Sequence, residues 1–271
     1  MKKVLSLFLA LALLAAAPAF AESAPVELVV FGAASMTETL QQIAALYKEK
    51  EPNVRLVFNF DSSGTLKTQI QEGADCDMFI SAGQKQMNQL DISADPAVNV
   101  DGLDRVLENT RIDLLENKVT LVTPEGNPAG LTDFDSLAAA LRERDILFAM
   151  GNADVPVGQY TQKILAYYGL NEEELAKAGK ITYGSNVKEV TTQVKEGSVQ
   201  CGVVYCTDAF SAGLTPVAYA TKEMCGQIVY PAAVMKDARH PEEAKAFLSY
   251  LTGAEAMAVF EAVGFAPVEA K

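Results

Sequence analysis

Hydrophobic and polar positions along the chain switch repeatedly between a period of two and a helical period. Val26 to Phe31 is a short apolar run that reads as a buried strand, and it ends in small residues, Gly32-Ala33-Ala34-Ser35. An amphipathic segment begins at once, with Leu40, Ile43, Ala44 and Tyr47 at helical spacing. This spacing predicts Ser35 at the helix N-cap, where a hydroxyl and unpaired backbone N–H groups point out of the helix start. Such a place attracts an anion, although for a single helix the simpler reading is a serine that caps its own turn.

The arrangement recurs. Val54 to Phe60 alternates like a strand and runs into Asp61-Ser62-Ser63-Gly64-Thr65, ahead of a short helical stretch with Leu66 and Ile70 on one face. The distance from Ser35 to Ser63 suits one strand–helix–strand step in a parallel sheet. Met78 to Ile80 is a third strand, again ending in small residues. From Asp91 to Asp113 no clean period appears, and Val119 to Pro124 then reads as a strand leaving the first lobe. Ile146 to Met150 is a strand followed by the loop Gly151 to Gly158 and a helix with Tyr160, Ile164 and Tyr168. A further polar turn, Gly184-Ser185-Asn186, precedes Val187, Val190 and Val194 on one helix face. Val199 to Tyr205 is a strand, Thr207-Asp208 start a helix, and Gln227 to Met235 is a long apolar strand. Helices over Pro241–Leu251 and Ala254–Val263 close the chain.

Strands alternating with helices predict an α/β fold of two lobes, with lobe I over 22–117 plus 229–271 and lobe II over 118–228. The strands near Val119–Thr123 and Gln227–Val234 are expected to join them and to allow closure. Ligands of open parallel sheets bind beyond the carboxyl ends of the strands, so a cleft between the lobes is the expected site.

Composition narrows the setting. Lys2 and Lys3, the apolar run Val4–Ala17 and the small-x-small triplet Ala19-Phe20-Ala21 read as a secretory signal peptide over 1–21, cleaved after Ala21. The expected product is soluble and extracytoplasmic (periplasmic in a cell with two membranes), and no cysteine before Cys76 could carry a lipid anchor there. The formal net charge of −13 becomes two units more negative without Lys2 and Lys3. That balance argues against nucleic acid and acidic lipid as partners. It also means that any anion site must be built from local donors against the overall field. Cys76, Cys201, Cys206 and Cys225 have no zinc spacing, and free thiols and one or two disulfides are equally compatible with the sequence.

Chemistry other than binding finds little support. His240 is the only histidine, it sits in a polar turn before a helix, and no Gly-x-Ser-x-Gly elbow occurs. A secreted hydrolase is the distant alternative. Asp61 and Asp77 read as carboxylates that support turns and helix starts.

In order along the chain come Phe31-Gly32-Ala33-Ala34-Ser35-Met36, Phe60-Asp61-Ser62-Ser63-Gly64-Thr65-Leu66 and Asp77-Met78-Phe79-Ile80-Ser81-Ala82. Val155-Pro156-Val157-Gly158, Ser185-Asn186-Val187, Gly202-Val203-Val204-Tyr205 and Tyr230-Pro231-Ala232 follow. With these motifs the whole mature chain resembles the periplasmic molybdate-binding proteins of ABC transporters, which have the two-lobed type II solute-binding fold. The resemblance implies that Ser35 and Ser63 each give a hydroxyl and a backbone N–H to the oxyanion. It implies main-chain donation from Val157, where the family often has alanine, and from Val187, and a hydroxyl from Tyr205. It also implies a membrane permease as partner, a monomer, no cofactor, no bare metal ion and no catalytic residue. Molybdate, with tungstate of nearly the same size, is the implied ligand. Sulfate or another small anion in the same fold is the alternative, separated by cavity size alone. No Lys or Arg lies among the five matched positions, which suits a dianion that needs donors on all sides and no proton acceptor. Cys206 departs from the family, where glycine is commoner after the tyrosine, and Cys76 stands in a turn that often carries a small residue or proline. A disulfide at Cys206 would restrict Tyr205 or the hinge.

Overall fold

The computed structural model describes residues 25–268, so the expected signal peptide and its cleavage after Ala21 lie outside the described residues. The first sheet grows around β1 (Val26–Ala33), whose alternate residues go to opposite faces. Leu28 and Val30 enter the larger core, while Val29 and Phe31 pack into a second cluster on the other side. Parallel to β1 run β2 (Val54–Asp61) and β3 (Met78–Ile80), reached through α1 (Thr37–Lys50) and α2 (Ser63–Gln71). The apolar stripe of α1, Leu40, Ile43 and Tyr47, is buried. After α3 (Gln84–Asn88), residues 89–111 turn repeatedly and make one backbone bridge, Val106 to Met235, with Thr110 also bonded to Val234, as their lost period leads one to expect.

One strand had no periodic signal. β4 (Ile112–Asn117) mixes Asp113 and Glu116 with Leu114 and Leu115, and only its two partners on either side make it a strand. The chain then passes through Lys118 alone into β5 (Val119–Val122), the first strand of the second sheet. That sheet continues with α4 (Phe134–Glu143), β6 (Phe148–Gly151), α5 (Pro156–Tyr167), α6 (Glu172–Lys177), β7 (Ile181–Gly184) and α7 (Val187–Lys195). It ends with β8 (Cys201–Tyr205), α8 (Cys206–Ala212), β9 (Pro216–Tyr219) and α9 (Lys222–Cys225). β10 (Ile228–Val234) returns to the first sheet, followed by α10 (Pro241–Leu251), α11 (Ala254–Ala262) and the short β11 (Ala266–Pro267).

The six-stranded sheet has the order β11-β4-β10-β3-β1-β2 and the five-stranded one β7-β6-β8-β5-β9. Both are mixed: parallel where strand–helix–strand steps build them, antiparallel where β10 meets β3 and β4 and where β5 meets β8 and β9. The two strands expected to join the lobes belong wholly to one sheet each, because their backbone groups are taken up by sheet neighbours. The crossovers are instead Lys118 and residues 220–227.

The loop before β3 is held by a buried carboxylate. Asp77 accepts from Val29 N at 2.8 Å, from Arg239 N at 2.7 Å and from His240 N at 3.1 Å, tying β1 to the start of α10. This is the turn-supporting role expected of it, and His240 contributes its backbone there. Asp77→Ala leaves three N–H groups without their acceptor, at a cost of about 2–4 kcal/mol. A thermal unfolding scan should place its Tm roughly 5–10 °C below the parent's; a smaller drop would mean water replaces the carboxylate.

Candidate functional site

Both sheets place the candidate residues at the carboxyl ends of parallel strands. β1 leads to Ser35, β2 to Ser63 and β3 to Ser81-Ala82-Gly83; across from them β6 leads to Val157, β7 to Val187, and β8 ends in Tyr205. All five expected ligand residues are buried where the lobes meet, Ser63 and Val157 completely and Ser35, Val187 and Tyr205 at 4%, 3% and 1% exposure.

Their local settings differ from a row of capping serines. Ser35 is not an N-cap: a tight 3-10 turn, Ala34–Met36, intervenes, and α1 starts only at Thr37 with Met36 at its cap. The small residues Ala33 and Ala34 allow the extra turn, and the Ser35 hydroxyl is left to meet the Tyr230 hydroxyl at 3.0 Å. Ser63 does not cap either. Ser62 does so, accepting from Thr65 N at 3.1 Å, and Ser63 Oγ accepts from Ala82 N at 2.9 Å. Its own proton is thereby directed away from that amide. Val157 is the second residue of α5, after Pro156, and Val187 is the first of α7, whose cap Asn186 accepts from Glu189 N. The N–H groups of Val157 and Val187 lie in first turns, where no carbonyl of the same helix reaches them. These helix starts carry partial positive charge toward the interface.

The lobes touch closely here. A Cβ on Gly64 would stand 2.2 Å from Asp154 O, and one on Gly83 would stand 3.3 Å from Pro156 Cβ. Only a glycine at 64 lets the first turn of α2 abut the loop before α5. Tyr205 reaches across and donates to Ala82 O at 3.2 Å, so the same Ala82 peptide serves Ser63 through its N–H and Tyr205 through its carbonyl. Burial pushes the phenols of Tyr205 and Tyr230 well above their ordinary value, so both remain neutral O–H groups. Their rings meet edge to face at 5.6 Å.

One cation stands beside the neutral donors, and the sequence reading did not single it out. Lys188 follows Val187 and bridges the lobes, 2.7 Å from Glu38 Oε2 on α1 and 3.2 Å from Asp208 Oδ1 on α8. Asp208 is fully buried, and the Lys188 contact is an ion pair without an aligned hydrogen bond. Burial raises its carboxyl to about 6, with Lys188 opposing the shift. For Lys188 burial works against the charge, and Asp208 and Glu38 outweigh it, so its ammonium is held above the usual value. The lysine thus spends its charge on two carboxylates, and the site itself remains a set of neutral donors. All four cysteines are free; Cys206 Sγ lies 3.1 Å from Asn117 Oδ1 and does not tether Tyr205 covalently. Among the described residues no cluster of His, Cys, Asp and Glu could hold a metal ion. Besides Lys188 and Asp208, the residues missed from sequence are Asn117 and the hydroxyl of Tyr230, which the motif Tyr230-Pro231-Ala232 contained without a role.

A raised carboxyl makes the folded chain bind a proton more readily than the unfolded one, so this group lowers stability as pH rises through 4 to 6. At neutral pH the effect is on the order of 2–3 kcal/mol. Asp208→Asn removes it. The variant's Tm relative to the parent should be distinctly more favourable at pH 7.5 than at pH 4.5, and a pH-independent difference would count against the buried ionisation.

Comparison with known proteins gives the family of the chain. Residues 28–266 match the family described as bacterial extracellular solute-binding protein. The molybdate-binding protein ModA of Escherichia coli is 32% identical over 97% of this chain and 98% of its own length. ModA of Haemophilus influenzae is 30% identical over 94% and 95%. The crystal structure of the periplasmic molybdate-binding protein of Azotobacter vinelandii superposes with a TM-score of 0.74 at 23% identity, covering 89% of this chain and 100% of that one.

Proposed function

The chain belongs to the bacterial extracellular solute-binding protein family, and from that premise we propose that it captures molybdate between its lobes and delivers it to an ABC importer. The observation that carries this reading is the burial, at strand ends and helix starts of both sheets, of two serines, a tyrosine and two first-turn valines, with Tyr205 tied across the lobes to the Ala82 peptide that serves Ser63 and the nearby lysine already neutralised. A tetrahedral dianion without a proton needs this set: hydroxyls of Ser35, Ser63 and Tyr205, and backbone N–H groups of Ser35, Ser63, Val157 and Val187. Hydrogen bonds to a charged group are worth roughly 1.5–3 kcal/mol each, so a submicromolar Kd survives the costs of desolvation and closure. Tungstate, of the same charge and nearly the same size, binds alike. The smaller sulfate leaves donors out of reach. The two curated relatives described above are molybdate-binding proteins, and the reading assigns no catalysis. A membrane permease that receives the closed, loaded form is the partner, and the protein works as a secreted monomer.

Isothermal titration of the ligand-free protein with molybdate, tungstate, sulfate and phosphate tests this reading. One-to-one binding of the first two below 1 μM, with sulfate much weaker, is the expected result. Ser35→Ala and Ser63→Ala should each weaken molybdate about 10–100-fold. Tyr205→Phe should cost less, because its hydroxyl must leave Ala82 O to reach the anion. Tight sulfate binding with no heat from molybdate would keep the fold and overturn the ligand.

Closure can be tested apart from donation. In Gly64→Ala the added methyl meets the Asp154 carbonyl, so the lobes stop short of each other. Molybdate affinity should fall at least 100-fold while the ligand-free Tm stays within about 2 °C of the parent's, since an open form accommodates the methyl. Unchanged affinity would mean that binding does not require this approach.

A further inference from the structure

We propose that Asn117 is a positioning residue of the anion site: it orients the hydroxyls of Tyr230 and Ser35 so that the Ser35 proton points at the ligand. The proposal rests on the molybdate-binding reading and adds how that site selects its anion.

The inference begins with an unambiguous donor. Lys118 N lies 2.7 Å from one side-chain atom of Asn117, and a backbone N–H can only donate, so that atom must be the carbonyl oxygen Oδ1. The Cys206 thiol, 3.1 Å away, addresses the same oxygen. The amide nitrogen therefore faces the other way, 3.0 Å from the Tyr230 hydroxyl and 3.0 Å from Thr207 Oγ1, and each of its two protons has one of these oxygens to go to. Tyr230 must accept from Asn117. Its phenol is buried and neutral, and in the proposed chain its single proton goes to the Ser35 oxygen at 3.0 Å, a contact whose geometry admits either direction. Ser35 accepts at that position and keeps its own proton for the interface.

The same logic already governs Ser63, whose oxygen accepts from the Ala82 N–H at 2.9 Å. Each serine thus has a donor behind it that makes it a donor in front. For Ser63 the backbone ensures this; for Ser35 it depends on a chain that starts at Asn117. A fully deprotonated oxyanion benefits at both positions. Hydrogen phosphate must place its own proton somewhere, and a serine whose oxygen already accepts offers it a poorer partner.

Asn117 is also the last residue of β4, next to the single-residue crossover Lys118, and its partners come from both lobes: Tyr230 from the first sheet, Thr207 and Cys206 from the start of α8 in the second lobe. It is 6% exposed, so water cannot readily substitute for it. The chain of protons is therefore anchored at the joint about which the lobes move.

Isothermal titration of the full mature protein with molybdate and with phosphate tests the proposal, using Asn117→Ala, Tyr230→Phe and the double variant. Each single change should weaken molybdate roughly tenfold, and the double variant should lose no more than about twofold beyond either single one. The ratio of molybdate to phosphate affinity should fall in all three, a readout that a loosened hinge would not move. Losses that multiply in the double variant, an unchanged ratio, or a single variant that binds like the parent would each overturn it. Should Asn117→Ala not fold, Tyr230→Phe combined with Ser35→Ala repeats the cycle one link further on: the Tyr230→Phe effect must vanish once the Ser35 hydroxyl is gone. A parent protein that takes up no molybdate refutes the functional reading itself, which keeps the two failures apart.

Discussion

A dianion can be held in a dry site without a facing cation only if many weak donors keep their protons pointed at it. Much of this protein follows from that constraint. Donors of fixed direction are most cheaply made by helix starts, because backbone N–H groups cannot turn around. Helix starts gather at the carboxyl ends of parallel strands, so two sheets, each built partly from strand–helix–strand steps, are set end to end. Hydroxyls are less obedient, since each can donate or accept. Ser63 is disciplined by the Ala82 N–H behind it, and Ser35, in the chain proposed above, by a longer path through Tyr230.

Charge near the site obeys the same economy. Lys188 stands next to a donor residue, yet Asp208 and Glu38 absorb its charge. The two carboxylates lie in the first turns of α8 and α1, where the helix dipoles favour them. The lysine joins the lobes instead of competing with the neutral donors. Burial makes the contact with Asp208 consequential, because a carboxyl pushed to about 6 carries its charge at some cost at neutral pH.

Much of this was legible in the sequence. The strands β1, β2, β3, β8 and β10 and the helices α10 and α11 were readable from period and end residues, because each buries a continuous stripe. The two lobes followed from the alternation of strands and helices, and the family from motifs in order. β4 was not legible, since Asp113 and Glu116 break its pattern and its strand character comes from neighbours distant in sequence. Ser35 was misplaced by one short turn, a difference that small residues permit and that no propensity records. Lys188, Asp208, Asn117 and the Tyr230 hydroxyl were invisible for a common reason: each acts through a partner at least 20 positions away, and pairing is a property of the fold. The cysteines illustrate the reverse case, where composition left two states open and the fold leaves all four thiols free.

The bond from Tyr205 to Ala82 O ties the lobes together through a single phenol proton. The Ala82 peptide that accepts it also donates to Ser63, so the second lobe is fastened to the very amide that orients a hydroxyl of the first. A shift of one lobe against the other therefore reaches that hydroxyl through one rigid peptide plane, and the shape of the molecule and the direction of its hydrogen bonds change together.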